Sequence, residues 1–296
     1  FAGKRVGANY WGPSANTLPL RRARAIEDLH LERFTAGDHL GAVAEVARAE
    51  SISRVLYPAD STEAGQELRL RQEYFFVAAS LQDLLRRHRN MHTSVLTLGD
   101  HAAIQLNDTH PSIAVAELMR QLVDVYDVAW DAAWQITQDT LSYTNHTLLP
   151  EALETWPVGL MERMLPRHMQ IIYLINAQHI DALRSKGVHD FDVLRAVSLI
   201  EEDNGRRVRM GNLAFLGSHS VNGVSGLHTQ LMRSTVFSEL HKLYPERINN
   251  KTNGITFRRW LFQANAELTS MMVDALGPSV LDNPEERLIE LEPFAD

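Results

Sequence analysis

Three histidines are the first residues that could do chemistry. His110, His146 and His219 lie in the short polar turns NDTHP, YTNHT and GSHSVNG, each after a stretch that reads as a strand. Imidazole titrates near neutrality, so a histidine held at a strand end can hydrogen-bond a substrate, carry a proton or bind a metal. Taken singly, a histidine of this kind is more often a hydrogen-bonded structural residue; the shared position is what points to a site. Asp108 beside His110 adds a carboxylate, also a metal ligand, but no HxH or HExxH spacing accompanies it, and metal is not expected. GSHSVNG is rich in small residues before a helical segment, so backbone could approach a sugar or phosphate closely, or the turn could be a plain connection. NNKTNGITFRRW joins amides, a glycine and two arginines to Trp260: amides suit sugar hydroxyls and an indole face suits a flat ring, while a solvated amphipathic helix fits the same residues. There is no Gly-x-Ser-x-Gly elbow, no Walker-type loop and no GxGxxG.

Those turns need strands and helices to hold them. Residues 1–36 read as loops and short strands. A helix with a thin apolar stripe is predicted from Asp38 to Glu50, ISRVLYP reads as a strand ended by Pro58, and a long helix with several exposed arginines spans Glu67 to Arg87. Thereafter strand, turn and helix alternate. AAIQLND leads through NDTHP into a helix reaching about Tyr126, and VAWDAAWQITQDT, EALETWPVGLMERML and RHMQIIYLINAQHIDALR read as helices. LSYTNHT reads as strand and turn, and RRVRMGNLAFLGS as a strand feeding the turn HSVNGVS and the helix GLHTQLMRSTVFSEL. The alternation predicts an α/β fold whose parallel sheet is flanked by helices, with ligands collecting beyond the carboxyl ends of its strands.

Composition narrows the chemistry. The 296 residues are 45% hydrophobic and 22% charged, an ordinary globular balance. With 37 acidic against 29 basic residues the net charge is −8, which disfavours a nucleic-acid partner. No run is long and apolar enough to span a bilayer, and the first residues lack a secretory h-region, so a cytoplasmic protein without a membrane partner is expected. The absence of cysteine removes disulfides, thiolate nucleophiles and Cys-type zinc sites. A first residue other than Met suggests a piece of a longer protein.

The order of motifs says more than any one of them. LYPAD, GQELRLRQEYFFVAASLQDLLRR, IQLNDTHPSIAVAELMR, YTNHTLLPEALETWPVGLMERMLPRHMQIIYLIN, GSHSVNGVSGLH and NKTNGITFRRW resemble consecutive segments of the α-glucan phosphorylases, from about Asn16 to Leu268. The resemblance implies a GT-B fold of two Rossmann-like lobes, residues 1–296 being a portion of the N-terminal lobe. It also implies phosphorolysis of terminal α-1,4-linked glucose to glucose 1-phosphate, with inorganic phosphate as co-substrate. The implied cofactor is pyridoxal 5'-phosphate on a lysine of the C-terminal lobe, which this chain lacks.

Carried over, His146 matches the catalytic-site histidine that hydrogen-bonds the 6-hydroxyl of the glucosyl unit, Asn253 the amide on the same hydroxyl, and Val224 an apolar wall near that carbon. Asp108 and His110 match a polar pocket beside the catalytic site, and Trp260 a residue packing near the cofactor. Residues 57–66 match the gate loop, with Asp60 its acidic member. Where the animal-type loop continues with Asn and two Phe, Ser61, Thr62 and Glu63 stand here, and Phe257 replaces the usual Pro of TNGITPRRW. Arg86 and Arg87 match a pair that binds a nucleotide phosphate; here an anion site at a dimer interface and a solvated basic face are both open. Residues 38–52 match the helix that contacts a second copy, implying a homodimer. Two alternatives are compatible with the same segments: a nucleotide-sugar glycosyltransferase of GT-B fold, and a non-catalytic carbohydrate-binding or dimerising module.

Overall fold

The computed structural model describes residues 3–7, 15–19, 21–203 and 205–294. Two compact units divide the chain, residues 1–250 and 251–296.

The first unit opens with an antiparallel hairpin, β1 (Gly3–Gly7) and β2 (Ala15–Pro19), in which Gly3 faces Pro19 and Gly7 faces Ala15. Three short helices follow, α1 (Leu31–Thr35), α2 (His39–Ala42) and α3 (Ala44–Ile52). The single helix expected from Asp38 is therefore broken at Val43, the residue that closes α2 and opens α3 with φ −110° and ψ 4°. The strand expected at ISRVLYP does not form, because a side chain takes the place of a partner strand. Gln72 Nε2 donates to the carbonyls of Ile52 (2.7 Å) and Val55 (2.8 Å), while its Oε1 accepts from Tyr57 N–H (2.9 Å).

The long helix α4 (Glu63–Met91) begins four residues before its expected start, its first turn capped by Thr62 Oγ1 accepting from Gly65 N–H. Irregular backbone in the proposed gate loop thus ends at Thr62, and residues 63–66 are helical. Leu70, Val77, Leu81 and Leu85 make the buried stripe of α4, and Gln72 and Glu73 are buried among them. Arg69 is only 17% exposed, so not every arginine of this helix is solvated.

Next come α5 (Leu98–His101), β3 (Ile104–Asn107), α6 (Ala114–Arg120) continued by a π-helical turn to Val125, α7 (Trp130–Thr140) and β4 (Leu141–Thr144). The stretch EALETWPVGLMERML is not one helix: it contains β5 (Thr155–Pro157) before α8 (Val158–Met164). Helices α9 (Pro166–Ser185) and α10 (Phe191–Val197) precede β6 (Ile200–Glu201) and β7 (Arg207–Arg209), which with β5 form a separate antiparallel sheet of order β5-β7-β6. RRVRMGNLAFLGS therefore supplies only β7, and its apolar run is the helix α11 (Met210–Leu216), all seven residues buried. An apolar run of that length does not separate a buried helix from a buried strand.

The next strand is β8 (Ser220–Gly223), the segment read as a turn, followed by α12 (Gly226–Ser234), α13 (Ser238–Leu243) and β9 (Ile248–Asn250). β3, β4, β8 and β9 form one parallel sheet in that order, with Asn107 beside Thr144, Thr144 beside Asn222 and Asn222 beside Asn249. Leu106, Leu141, Tyr143, Val221 and Ile248 are buried in it, and helices flank it as expected. So polar a segment as SVNG is stable in mid-sheet because Asn222 Oδ1 accepts from Thr144 Oγ1 (2.8 Å) and because Gly223 lets α12 approach. A Cβ on Gly223 would lie 2.4 Å from Thr229 Oγ1 and 2.9 Å from Thr229 Cα.

The second unit holds a π-helical turn at Arg258–Gln263, α14 (Ala266–Leu276) and α15 (Pro284–Arg287), packed on a small core of Met272, Leu276 and Val280. Among the described residues no helix is long and apolar enough to cross a membrane.

Candidate functional site at the rim of the parallel sheet

The carboxyl ends of β3, β4 and β8 place Asp108, His146 and Val224 along one rim, as expected of an open α/β sheet. His219 is not with them. It precedes β8, and its N–H donates to the carbonyl of Leu141, the first residue of β4, so it sits at the opposite edge. The misplacement follows directly from reading SVNG as a turn.

His146 follows β4 by two residues and is exposed. Its Nε2 lies 2.5 Å from Asn107 Oδ1 at the end of β3. An amide oxygen only accepts, so Nε2 carries the proton and Nδ1 keeps the lone pair. Behind it Asn145 is fully buried, donating from Nδ2 to the Tyr143 hydroxyl (3.0 Å) and accepting at Oδ1 from His228 Nε2 (2.9 Å). Asn145 N–H also donates to the Asn222 carbonyl, continuing the ladder past the last strand residue. Burial first, and then the neighbouring His146, hold the His228 imidazole below its ordinary pKa, so it stays a neutral donor. Burial likewise pushes the Tyr143 phenol well above its usual range. The backing of His146 is therefore uncharged, which suits a ligand of hydroxyl groups.

Asp108 adopts φ +64°. A left-handed residue here reverses the chain after β3, and the Asp carboxylate stabilises it by accepting from Thr109 N–H at 2.7 Å. The turn delivers His110 to a second cluster, where the ring faces Tyr57 at 4.8 Å between centroids. There Arg69 NH2 is 3.3 Å from His110 Nδ1 and 3.6 Å from Glu154 Oε1, Arg69 Nε is 3.5 Å from Glu73 Oε1, and NH1 is 3.5 Å from Asp60 Oδ2. Arginine has only donors, so His110 Nδ1 would accept in that contact, and the same nitrogen lies 3.5 Å from Glu154 Oε1. Asp60, Arg69, His110, Glu154 and Arg207 help line a cavity of about 290 Å³.

Burial and the adjacent Glu154 push the Glu73 carboxyl up to about 10, overriding the pull of Arg69, so it is a neutral acid at pH 7. Consistent with that, the Oε2 atoms of Glu73 and Glu154 are both buried without a partner. Glu73, His110 and Glu154 bring potential metal ligands within 4.8 Å of one another. The Arg69 guanidinium already stands among these atoms as a built-in cation, so a metal ion would be opposed by it.

The remaining expected residues, besides the gate-loop Asp60, are Ser61, Arg86 and Arg87 in the first unit and Asn253 and Trp260 in the second. Ser61 is exposed beside Asp60. Arg86 and Arg87 are both clamped on Asp83, at 2.8 and 3.1 Å, while more than half exposed. Asn253 and Trp260 belong to the second unit, where Asn253 is exposed and the Trp260 side is 67% exposed. The sequence reading missed Asn107, Asn145, Arg69, Glu73 and Glu154. Arg69 and Glu73 are four residues apart on α4, a spacing that makes them neighbours on one helix face; that was the available signal.

Comparison with known proteins bears on the whole chain. The carbohydrate phosphorylase family matches residues 6–296. Glycogen phosphorylase of Synechocystis sp. is 47% identical over 283 residues, covering 96% of this chain and 33% of that protein. The liver form of Bos taurus is 49% identical over 276 residues (90% of this chain, 32% of that protein), and the human brain form 48% over 280 residues (92% and 33%). The chain spans about a third of the length of these relatives. A match that long, over a parallel sheet whose rim carries the residues described above, places the chain in the carbohydrate phosphorylase family.

Proposed function

We propose that this chain is part of the N-terminal lobe of an α-glucan phosphorylase, which transfers the terminal α-1,4-linked glucose of a glucan to inorganic phosphate. The observation that carries the reading is His146: an exposed imidazole at the carboxyl end of β4, held by Asn107 and backed by neutral groups. With Nε2 committed to Asn107, Nδ1 is left to accept a hydrogen bond from the glucosyl 6-hydroxyl. An uncharged wall holds a sugar without the cost of desolvating a charge. From the resemblance, Asn253 takes the same hydroxyl, Val224 walls off the adjoining carbon, and Asp108 and His110 position the site. Asp60 and Ser61 belong to the gate, and the Asp60–Arg69 ion pair is a contact that gate opening would have to break.

Pyridoxal 5'-phosphate would supply, through its phosphate, proton donation and acceptance toward substrate phosphate. This chain's residue for it is Trp260, whose exposed indole offers a face to pack against such a group. Arg86 and Arg87 are proposed as an anion site, since Asp83 orients both guanidinium groups and leaves them half in solvent. The partner is a second copy of the chain, contacted through residues 38–52, in a cytoplasmic enzyme.

In the intact enzyme, His146→Ala should lower kcat/KM for phosphorolysis by about 10²–10³-fold, the scale of one lost transition-state hydrogen bond. A glucan ending in 6-deoxyglucose should be a poor substrate for the parent and no worse for the variant. Equal glucose 1-phosphate release by parent and variant would overturn the assignment.

A further inference from the structure

The C-terminal end of α4 gathers three imidazoles that none of the roles above uses. His88 lies in the last turn, His92 caps it four residues later, and His101 ends α5. Ring centroids are 4.7 Å apart for His88–His92, 5.9 Å for His88–His101 and 3.9 Å for His92–His101, the last pair stacked within 9°. Histidines four residues apart on a helix face the same side, the spacing by which helices present two imidazoles to one ion.

His88 is buried, and its Nε2 lies 3.0 Å from the Ser94 carbonyl, a group that only accepts. Nε2 therefore carries the proton and Nδ1 the lone pair. A backbone carbonyl fixing the far nitrogen is the usual support of a metal-bound imidazole. The Thr97 hydroxyl, 3.1 Å from the same carbonyl, braces the turn that holds it.

With Zn–N bonds of about 2.0–2.1 Å, tetrahedral geometry sets ring centroids roughly 5 Å apart. The observed separations bracket that value. In the present rotamers the three donor atoms do not converge. What must change is the stacked pair, and neither His92 nor His101 is buried, so side-chain rotation can open it.

We propose that His88, His92 and His101 bind one divalent transition-metal ion of the zinc type, through His88 Nδ1 and one ring nitrogen of each of the others. The ion would tie the end of α4 to α5, and so to β3, which begins at Ile104. It would also fix the helix turn just beyond Arg86 and Arg87.

The test is calorimetric titration of the chelator-treated chain with Zn²⁺, alongside His92→Ala/His101→Ala and His110→Ala. One saturable site per chain is expected, weakened at least tenfold in the double variant and unchanged in His110→Ala. Absence of a saturable site, equal affinity in the double variant, or loss in His110→Ala instead would overturn the proposal, the last by moving the ion to Glu73, His110 and Glu154. Should the double variant not fold, ¹H–¹⁵N spectra of the parent decide: Zn²⁺ must shift the ring nitrogens of His88, His92 and His101, and shifts confined to other histidines refute the site.

Discussion

Glu73 has the chemistry that its surroundings impose. Its side chain is 5% exposed, its Oε2 has no partner and Glu154 lies beside it, so the proton stays on up to about pH 10. The unfolded chain ionises this group near 4.5. Between those values unfolding releases a proton, so the group's contribution to stability falls as pH rises, by roughly tenfold in the folding constant per pH unit. Glu73→Gln replaces a neutral acid with a neutral amide and should remove that slope. Denaturant titrations at pH 5 and pH 9 check it: the variant should gain on the parent between the two, and a constant gap would mean that Glu73 is ionised. His146 is the opposite case, exposed and held by one neutral bond to Asn107, which leaves it free to meet a ligand.

Among elements, one buried carboxylate joins α6 to α9. Glu117 is fully buried on α6, with Oε2 2.6 Å from His168 Nε2 on α9 and both oxygens 2.8 Å from the Arg120 guanidinium; Gln121 Nε2 donates to Oε1 at 2.8 Å. Burial alone would raise its pKa, but the bonds from Arg120, His168 and Gln121 outweigh it and hold the carboxyl near 2. Here the folded value lies below the unfolded one, so the stabilisation is complete above about pH 4.5 and is lost as pH falls toward 2. Glu117→Ala should cost about 3–5 kcal/mol at pH 7, the range for unpairing a buried charge, and should flatten acid unfolding in that window. Chemical denaturation followed by circular dichroism across pH 2–7 measures both. At the β8–α12 contact, Gly223→Ala should cost about 1–3 kcal/mol, since the new methyl meets Thr229 Cα at 2.9 Å as well as the side-chain atoms Thr229 Oγ1 and Met232 Sδ, and the backbone contact is not relieved by a side-chain rotation. An unchanged Tm would show that α12 can retreat.

For the whole molecule, the apolar surface of the first unit is unevenly spread. Leu40 (84% exposed) and Val43 (40%) lie within the proposed dimer contact, residues 38–52, and Leu31 (67%) and Phe34 (44%) precede it on α1. Leu40→Asp should convert a dimer of the intact protein to monomer without unfolding the sheet, because Leu40 takes no part in the core. Sedimentation velocity measures this; an unshifted dimer would move the interface elsewhere.

The sequence by itself determined the alternation of strand and helix, the parallel sheet, and the placing of Asp108, His110 and His146 in turns after strands. Each rests on periodicity or on turn chemistry, which are local properties. It also carried the family, through the order of motifs across nearly the whole chain. Only tertiary structure decided that SVNG is a strand, since its polar residues are stable there through Thr144 and Asn222, and its glycine through the approach of α12. That one pairing moved His219 to the opposite edge. Tertiary structure likewise converted Arg69 and Glu73 from ordinary helix residues into the partners of His110 and Glu154. Burial and the meeting of charges from distant segments depend on packing, and no local pattern encodes them.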